Sequence, residues 1–157
     1  MTQEELQRLV EKVSLESFSL PFKHQAIFNT RLRSTGGRYH LNDHHLDFNL
    51  KMFHEVDDET KKAIIKHELC HYHLHLANRG YRHQDADFKA LLKKTGGLRY
   101  APTLSSQSPR KIEWYQCQSW SSNIYRKRKV DTKRYVCGKC RGKLVWKESI
   151  KENIKKT

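Results

Sequence analysis

Residues 61–76 read KKAIIKHELCHYHLHL, and inside this run His67-Glu68-Leu69-Cys70-His71 spells H-E-x-x-H. On an α-helix, residues four apart lie one above the other on the same face. His67 and His71 can therefore grip one metal ion without bending the backbone. Glu68 falls on the neighbouring flank, placed to take a proton from water without becoming a ligand. That division of roles is the working part of the zinc metallopeptidases. Three fixed positions in five also recur by chance, so the surroundings must decide.

The surroundings predict a helix. Asp57, Asp58 and Glu59 offer an N-cap and negative charge at its start, where the helix dipole favours them. Ala63, Ile64, Leu69, Tyr72 and Leu76 recur at helical spacing as an apolar stripe, and Gly80 is the expected stop. A helix of about five turns results, with the motif near its centre. The competing reading is a solvated, histidine-rich helix face. His75 continues the His67–His71 row, but a third ligand from the same helix would lie too far along the axis. His73 and His75 are expected at the surface or behind the ligands.

A peptidase zinc takes a third protein ligand and keeps a fourth position open. The elongated pattern H-E-x-x-H-x-x-G-x-x-H fails, because its last position is Ala77. A glutamate about twenty residues on also fails, since none occurs between Glu68 and Glu113. His83, the last histidine of the chain, is the leading candidate, with a turn through 78–82 bringing it back to the metal. Asp85 is the runner-up, and Asp87 is expected to cap or pair instead.

The 157 residues suffice for one compact domain with an appendage. Hydrophobic content of 36% and a mean hydropathy of −0.89 point to strongly charged surfaces. No apolar run approaches a membrane span, and the opening MTQEELQRLVEKV is no signal peptide. The expected compartment is the cytoplasm, where the four cysteines read as metal ligands or free thiols rather than disulfides. Charge is uneven: residues 1–98 hold 15 Lys/Arg against 13 Asp/Glu, residues 99–157 hold 16 against 4. The basic C-terminal third suits a polyanion, most simply nucleic acid, or a solubilising face.

An N-terminal helix is expected over 3–14, burying Leu6, Leu9, Val10 and Val13. Strands are expected over 24–33, 38–41 and 45–50, with Ser34-Thr35-Gly36-Gly37 and Asn42-Asp43 as turns. Together they predict a small antiparallel meander ahead of the metal helix, whose edge could accept an extended peptide. A short helix to Lys94 then stops at Thr95-Gly96-Gly97, closing a domain over 1–99. Residues 100–110 read as a linker.

A separate basic module spans 111–147, with a Lys-rich tail over 148–157 that reads as a frayed helix. Cys137-Gly138-Lys139-Cys140 is a knuckle suited to tetrahedral zinc, and two such knuckles make a zinc ribbon. The first half supplies Cys117 alone, because Trp120 stands where its partner belongs. With Cys117, Cys137 and Cys140 the site is one thiolate short. The alternatives are that it binds zinc weakly, that it takes water as the fourth ligand, or that the module is held by Trp114, Trp120, Tyr125, Tyr135 and Trp146. Arg126, Lys127, Arg128, Lys129, Lys133 and Arg134, interleaved with tyrosines, suit phosphate contacts and base stacking; a solvated charge run is the bland alternative.

Gly36-Gly37-Arg38-Tyr39, the HELCHYHLHL run, the His83 segment ending in Phe88 and the YQC…YVCGKCRGKL end together resemble the SprT-like family. That family includes the bacterial SprT proteins and the eukaryotic DNA-dependent protease Spartan. The resemblance implies an α+β chain: a zincin-like domain followed by a small β zinc-ribbon-like module. It implies zinc on His67 and His71, Glu68 as the catalytic residue, and action on DNA-associated proteins. The chain departs from the family pattern H-G-x-[ED]-[FW], since His83 stands five residues before Phe88 instead of four. Trp120 is the second departure. A zinc-dependent peptidase with a protein or peptide substrate is the leading expectation. The alternatives are a nucleic-acid-binding adaptor whose H-E-x-x-H zinc is structural or vestigial, and a zinc hydrolase acting on non-peptide bonds.

Overall fold

The computed structural model describes residues 1–105 and 111–151, and the chain divides into two compact units, Met1–Ser105 and Ser106–Thr157. In the first, α1 (Gln3–Phe18) precedes β1 (Ala26–Asn29), β2 (Gly37–Tyr39) and β3 (Leu46–Asn49). Three helices follow: α2 (Leu50–Glu55), α3 (Asp58–Leu76) and α4 (Ala86–Thr95). The chain is α+β, as expected. No helix among the described residues is long and apolar enough to cross a membrane.

Local chemistry explains the helix starts. Thr2 and Glu5 form a reciprocal capping box on α1, the Glu5 amide donating to Thr2 Oγ1 and the Thr2 amide to Glu5 Oε2. Asp57 caps α3 by accepting from the Thr60 amide at 2.7 Å. The α3 stop differs from expectation: the helix ends at Leu76, and Asn78, with φ 52°, makes the left-handed turn ahead of Gly80. Asparagine tolerates that conformation, so the chain turns two residues early. At α4 the expected stop holds, with Gly96 left-handed at φ 74°.

The sheet is not an antiparallel meander. Its order is β1-β3-β2, with β3 central, parallel to β1 and antiparallel to β2. Ser34–Gly37 is no hairpin turn. A Cβ on Gly36 would lie 2.9 Å from Ile64 Cγ2, and one on Gly37 would lie 2.7 Å from Glu68 Cγ. The glycine pair therefore exists for close approach of β2 to α3. The expected third strand also stops at Asn49, which caps α2 by accepting from the Met52 amide.

Helix α1 closes the other side of the sheet. Ala26 and Phe28 donate their amides to Gln7 Oε1 at 2.7 Å and Gln3 Oε1 at 3.1 Å. The outer edge of β1 is thereby satisfied by side chains, which leaves β2 as the unpaired edge.

Helix α3 is buried on two faces, not along one stripe. Ile64, Ile65, Leu69 and Tyr72 join Leu6, Val10, Phe48 and Met52 in the main core, whereas Cys70 and Leu74 pack with Phe88 and Leu92 of α4. Leu76, expected in the stripe, is exposed. Each buried aliphatic or aromatic side chain stabilises by roughly 1.5–3 kcal/mol, so tertiary packing rather than propensity holds this helix.

The second unit is an antiparallel sheet of order β5-β4-β6, from β4 (Lys111–Cys117), β5 (Asn123–Arg126) and β6 (Leu144–Lys151). Residues 148–151, read as tail, belong to β6. Leu104, read as linker, is buried in the first unit's core. The remainder of that linker, 106–110, and of the tail, 152–157, lies outside the described residues.

Of the two places expected for His73, at the surface or behind the ligands, the surface is excluded: the ring is buried against α1. Its Nε2 lies 2.8 Å from Ser14 Oγ, whose own proton goes to the Leu20 carbonyl. The imidazole is therefore the donor there, and burial pushes its pKa down to about 4. A base with a depressed folded pKa stabilises the protein fully above its unfolded value and loses that contribution as pH falls. The melting temperature, followed by circular dichroism, should drop between pH 6.5 and about 4. The same scan on His73→Leu should fall less steeply; equal slopes would assign the acid sensitivity elsewhere.

Candidate metal centre

His67, Glu68 and His71 lie on one stretch of α3, and the turn after Asn78 returns His83 to them. His67 Nε2 and His83 Nε2 are 2.9 Å apart, His71 and His83 3.1 Å, and His67 and His71 3.2 Å. These separations approach the roughly 3.3 Å implied by zinc–nitrogen bonds of about 2.0–2.1 Å at tetrahedral angles. Asp85 is not among them: its carboxylate accepts from the Arg82 amide at 2.9 Å. Asp87, expected to cap or pair, pairs with Arg79 and accepts from the Gly80 amide.

Backbone carbonyls set the ring orientations. His67 Nδ1–H donates to the Leu98 carbonyl and His71 Nδ1–H to the Tyr81 carbonyl, each at 2.6 Å. In the neutral rings both Nε2 atoms then carry bare lone pairs. Burial lowers the pKa of His67 and pushes that of His71 down to about 4, so neutral rings are favoured. Facing lone pairs about 3 Å apart repel unless a cation lies between them. The donor set therefore fits a zinc ion. Phe88 of α4 underlies all three rings, stacking on His71 at 4.3 Å and meeting His67 and His83 edge-on.

Glu68 is buried against β2 and lines the same cleft as the imidazoles. Burial pushes its pKa up to about 8, opposed by the Arg38 guanidinium and the Tyr39 amide. The carboxyl is thereby poised to exchange a proton near neutrality. A cleft of about 580 Å³ opens over the group, lined by Gly36 and β2, the three histidines, Glu68 and Arg99–Ala101.

His75 is held by Tyr39, whose hydroxyl lies 2.6 Å from His75 Nδ1 and 2.7 Å from His44 Nδ1. Sequence patterns pass over Leu98 and Tyr81 because a carbonyl belongs to every residue type; Phe88 was legible as the end of the His83 segment, but not its packing beneath the three rings. The pair Gly36-Gly37 was the available signal, read as a turn.

In the second unit the Cys117, Cys137 and Cys140 sulfurs lie within 4.8 Å of one another, with no fourth His, Cys, Asp or Glu among the described residues. Cys117 Sγ and Cys140 Sγ are 3.3 Å apart, and the Cys140 and Lys139 amides pull the Cys137 thiol down to about 7. Trp120 is 73% exposed, and Tyr125, Tyr135 and Trp146 are exposed with it. Of the five aromatics offered as one way of holding the module together, only Trp114 is half-buried, so they do not form its core. Its core is Tyr115, Leu144 and the cysteines themselves. The basic residues are exposed, and only Arg126 and Lys129 come together, lining a concavity of about 390 Å³. Lys127, Arg128, Lys133 and Arg134 do not line it; the Arg134 guanidinium sits 5.8 Å from the Tyr135 ring.

The model of the SprT-like family matches residues 4–109. A protein SprT-like of Enterococcus faecalis is 58% identical over 154 residues, covering 98% of this chain and all of that one. A protein SprT-like of Lactiplantibacillus plantarum is 54% identical over 143 residues, covering 90% and 97% of the two chains. Among solved structures, the metallopeptidase zymogen abylysin of Pyrococcus abyssi is similar with a TM-score of 0.46 and 16% identity, over 64% of this chain and 85% of that one. From the family match and the identities across almost its whole length, the chain belongs to the SprT-like family.

Proposed function

We propose that the chain is a zinc-dependent metallopeptidase of zincin type, with His67, His71 and His83 as metal ligands and Glu68 as its general base. Three imidazole nitrogens converging beside a buried carboxyl support this reading above all. When bound, zinc supplies Lewis-acid polarisation of an amide carbonyl and acidifies water toward neutral pH. Glu68 takes the proton of the attacking water and passes it to the leaving amine. The unpaired edge of β2 runs along the cleft, so an extended peptide binds there as an added strand. The outer edge of β1 is not available, because Gln3 and Gln7 occupy its amides.

The second unit serves substrate choice. Its exposed Tyr125, Tyr135 and Trp146 among Arg126, Lys129 and Arg134 suit a single-stranded nucleic acid, stacking bases while neutralising phosphates. DNA-associated proteins are then the substrates presented to the cleft. The adaptor alternative rests on the same surface and differs in one respect, having no need of Glu68.

Glu68→Gln should keep its zinc and lose about 10²- to 10⁴-fold in turnover of a protein substrate; full residual cleavage would sink the assignment and favour the adaptor. Gly37→Ala places a methyl 2.7 Å from Glu68 Cγ, and displacing the base by this much should cost on the order of 10²-fold in kcat with zinc retained. Elemental analysis should show that His83→Ala loses the tightly bound zinc of the α3 site, whereas Cys137→Ser keeps it. Retention by His83→Ala would return the third position to Asp85.

A further inference from the structure

The turn between β2 and β3 gathers a second set of metal-ligating groups, none of which lines the cleft. His40 follows β2, His45 precedes β3 and Asp47 lies within it, and their ligand atoms stand within 4.8 Å of one another. The two imidazoles stack nearly parallel, centroids 3.9 Å apart at 11°. Backbone bonds hold the turn that brings them together, His40 N–H to the His45 carbonyl and His44 N–H to that of His40, both at 3.0 Å.

Asp47 is 3% exposed, and its two oxygens are treated unequally. Oδ2 accepts from Asn29 Nδ2 at 2.8 Å and lies 3.0 Å from His40 Nε2. Oδ1 is the one buried side-chain oxygen or nitrogen among the described residues without a hydrogen-bond partner. A buried carboxylate oxygen left unpaired is costly and calls for an explanation. His45 Nε2 stands 3.2 Å from Oδ1, outside hydrogen-bond geometry. The other nitrogen of that ring, Nδ1, donates to Asp43 Oδ1. In the neutral ring, Nε2 therefore carries no proton and offers Oδ1 no hydrogen bond.

A proton on His45 answers this poorly, because an Nε2–H is not directed at Oδ1. Protonating both stacked rings would also set two like charges 3.9 Å apart. A divalent ion beside the free oxygen is within reach of both rings, each of which turns out of the stack to bring its Nε2 lone pair onto it. The donors are two imidazole nitrogens and one carboxylate oxygen, the mixture that takes first-row transition ions. Side-chain exposures of 30% for His40 and 22% for His45 leave an entry path and room for water to complete the shell. Asp43, on His45 Nδ1, is the outer carboxylate that such histidine ligands habitually carry.

We infer that His40, His45 and Asp47 form a second divalent-metal site, taking zinc or a similar first-row ion, with Asp43 orienting His45. The ion clamps the β2–β3 turn to the central strand, and its role is structural. Binding to the folded chain alone stabilises it by mass action.

The test uses the whole chain, with His67, His71 and His83 intact, and Zn2+ as the probe. Equilibrium dialysis at buffered free zinc should show one more zinc per wild-type chain than per His45→Gln or Asp47→Asn chain. Asp43→Asn should weaken that zinc by about 10- to 100-fold. Asp47 is buried and its replacement can unsettle the sheet, so the wild type supplies an independent readout. In long-range proton–nitrogen spectra, the Nε2 resonances of His40 and His45 should move together to metal-bound positions as zinc is added. Equal zinc content in wild type and His45→Gln, up to tens of micromolar free metal, would overturn the site. So would ring resonances that titrate with pH and ignore zinc, which would leave a hydrogen-bonded ion pair. Neither readout depends on turnover, so the outcome is separate from that of the peptidase reading.

Discussion

The close approach of β2 to α3 is the constraint on which the rest of the first unit depends. Ile64 and Glu68 lie one turn apart and both press on the strand where it carries no side chain, at Gly36 and Gly37. Any other residue there would lift the strand from the helix and open the pocket that buries Glu68. The burial that makes this carboxyl a weak acid and the position of the cleft's wall are thus one packing event. A strand held this near a helix by glycine has little core of its own, and β3 beneath it carries the apolar load through Leu46 and Phe48.

A second layer of control runs through the backbone. His67 and His71 would rotate freely on their helix were Nδ1 of each not tied to a carbonyl from a distant loop, Leu98 for one and Tyr81 for the other. Those loops are themselves placed by α4, whose Phe88 and Leu92 pack on Cys70 and Leu74. Ring orientation, tautomer and the arrival of His83 therefore depend on the small second core. This explains why a helix with histidines on one face buries apolar groups on two others.

The two units solve stability differently. The first has a continuous core of helix and sheet; the second is a three-stranded sheet whose interior is Tyr115, Leu144 and thiols. So few apolar groups seldom stabilise a module of this size alone. Its large aromatics face solvent instead, beside arginine and lysine, as befits a surface that meets a ligand.

Spacing along α3 sufficed to place His67, Glu68 and His71 on neighbouring flanks of one helix, because helical periodicity is a local property. Elimination among the remaining histidines pointed to His83, which the fold brings beside His67 and His71, and the Asp57 cap and the Gly96 stop were legible because caps are local. The strand order was not legible: β1 and β3 pair directly and in parallel although β2 lies between them in the chain, and no local pattern encodes which strands become neighbours. Nor could composition distinguish a glycine pair that turns from one that lets two elements touch, or a surface His73 from one buried on Ser14. The convergence of His40, His45 and Asp47 arises only once β2 and β3 are in register. Sequence by itself determined the chemistry each segment carries, since that follows from residue type and short-range geometry. Tertiary structure alone decided which groups meet, which face water and which oxygen is left without a partner, because those depend on contacts between segments far apart in the chain.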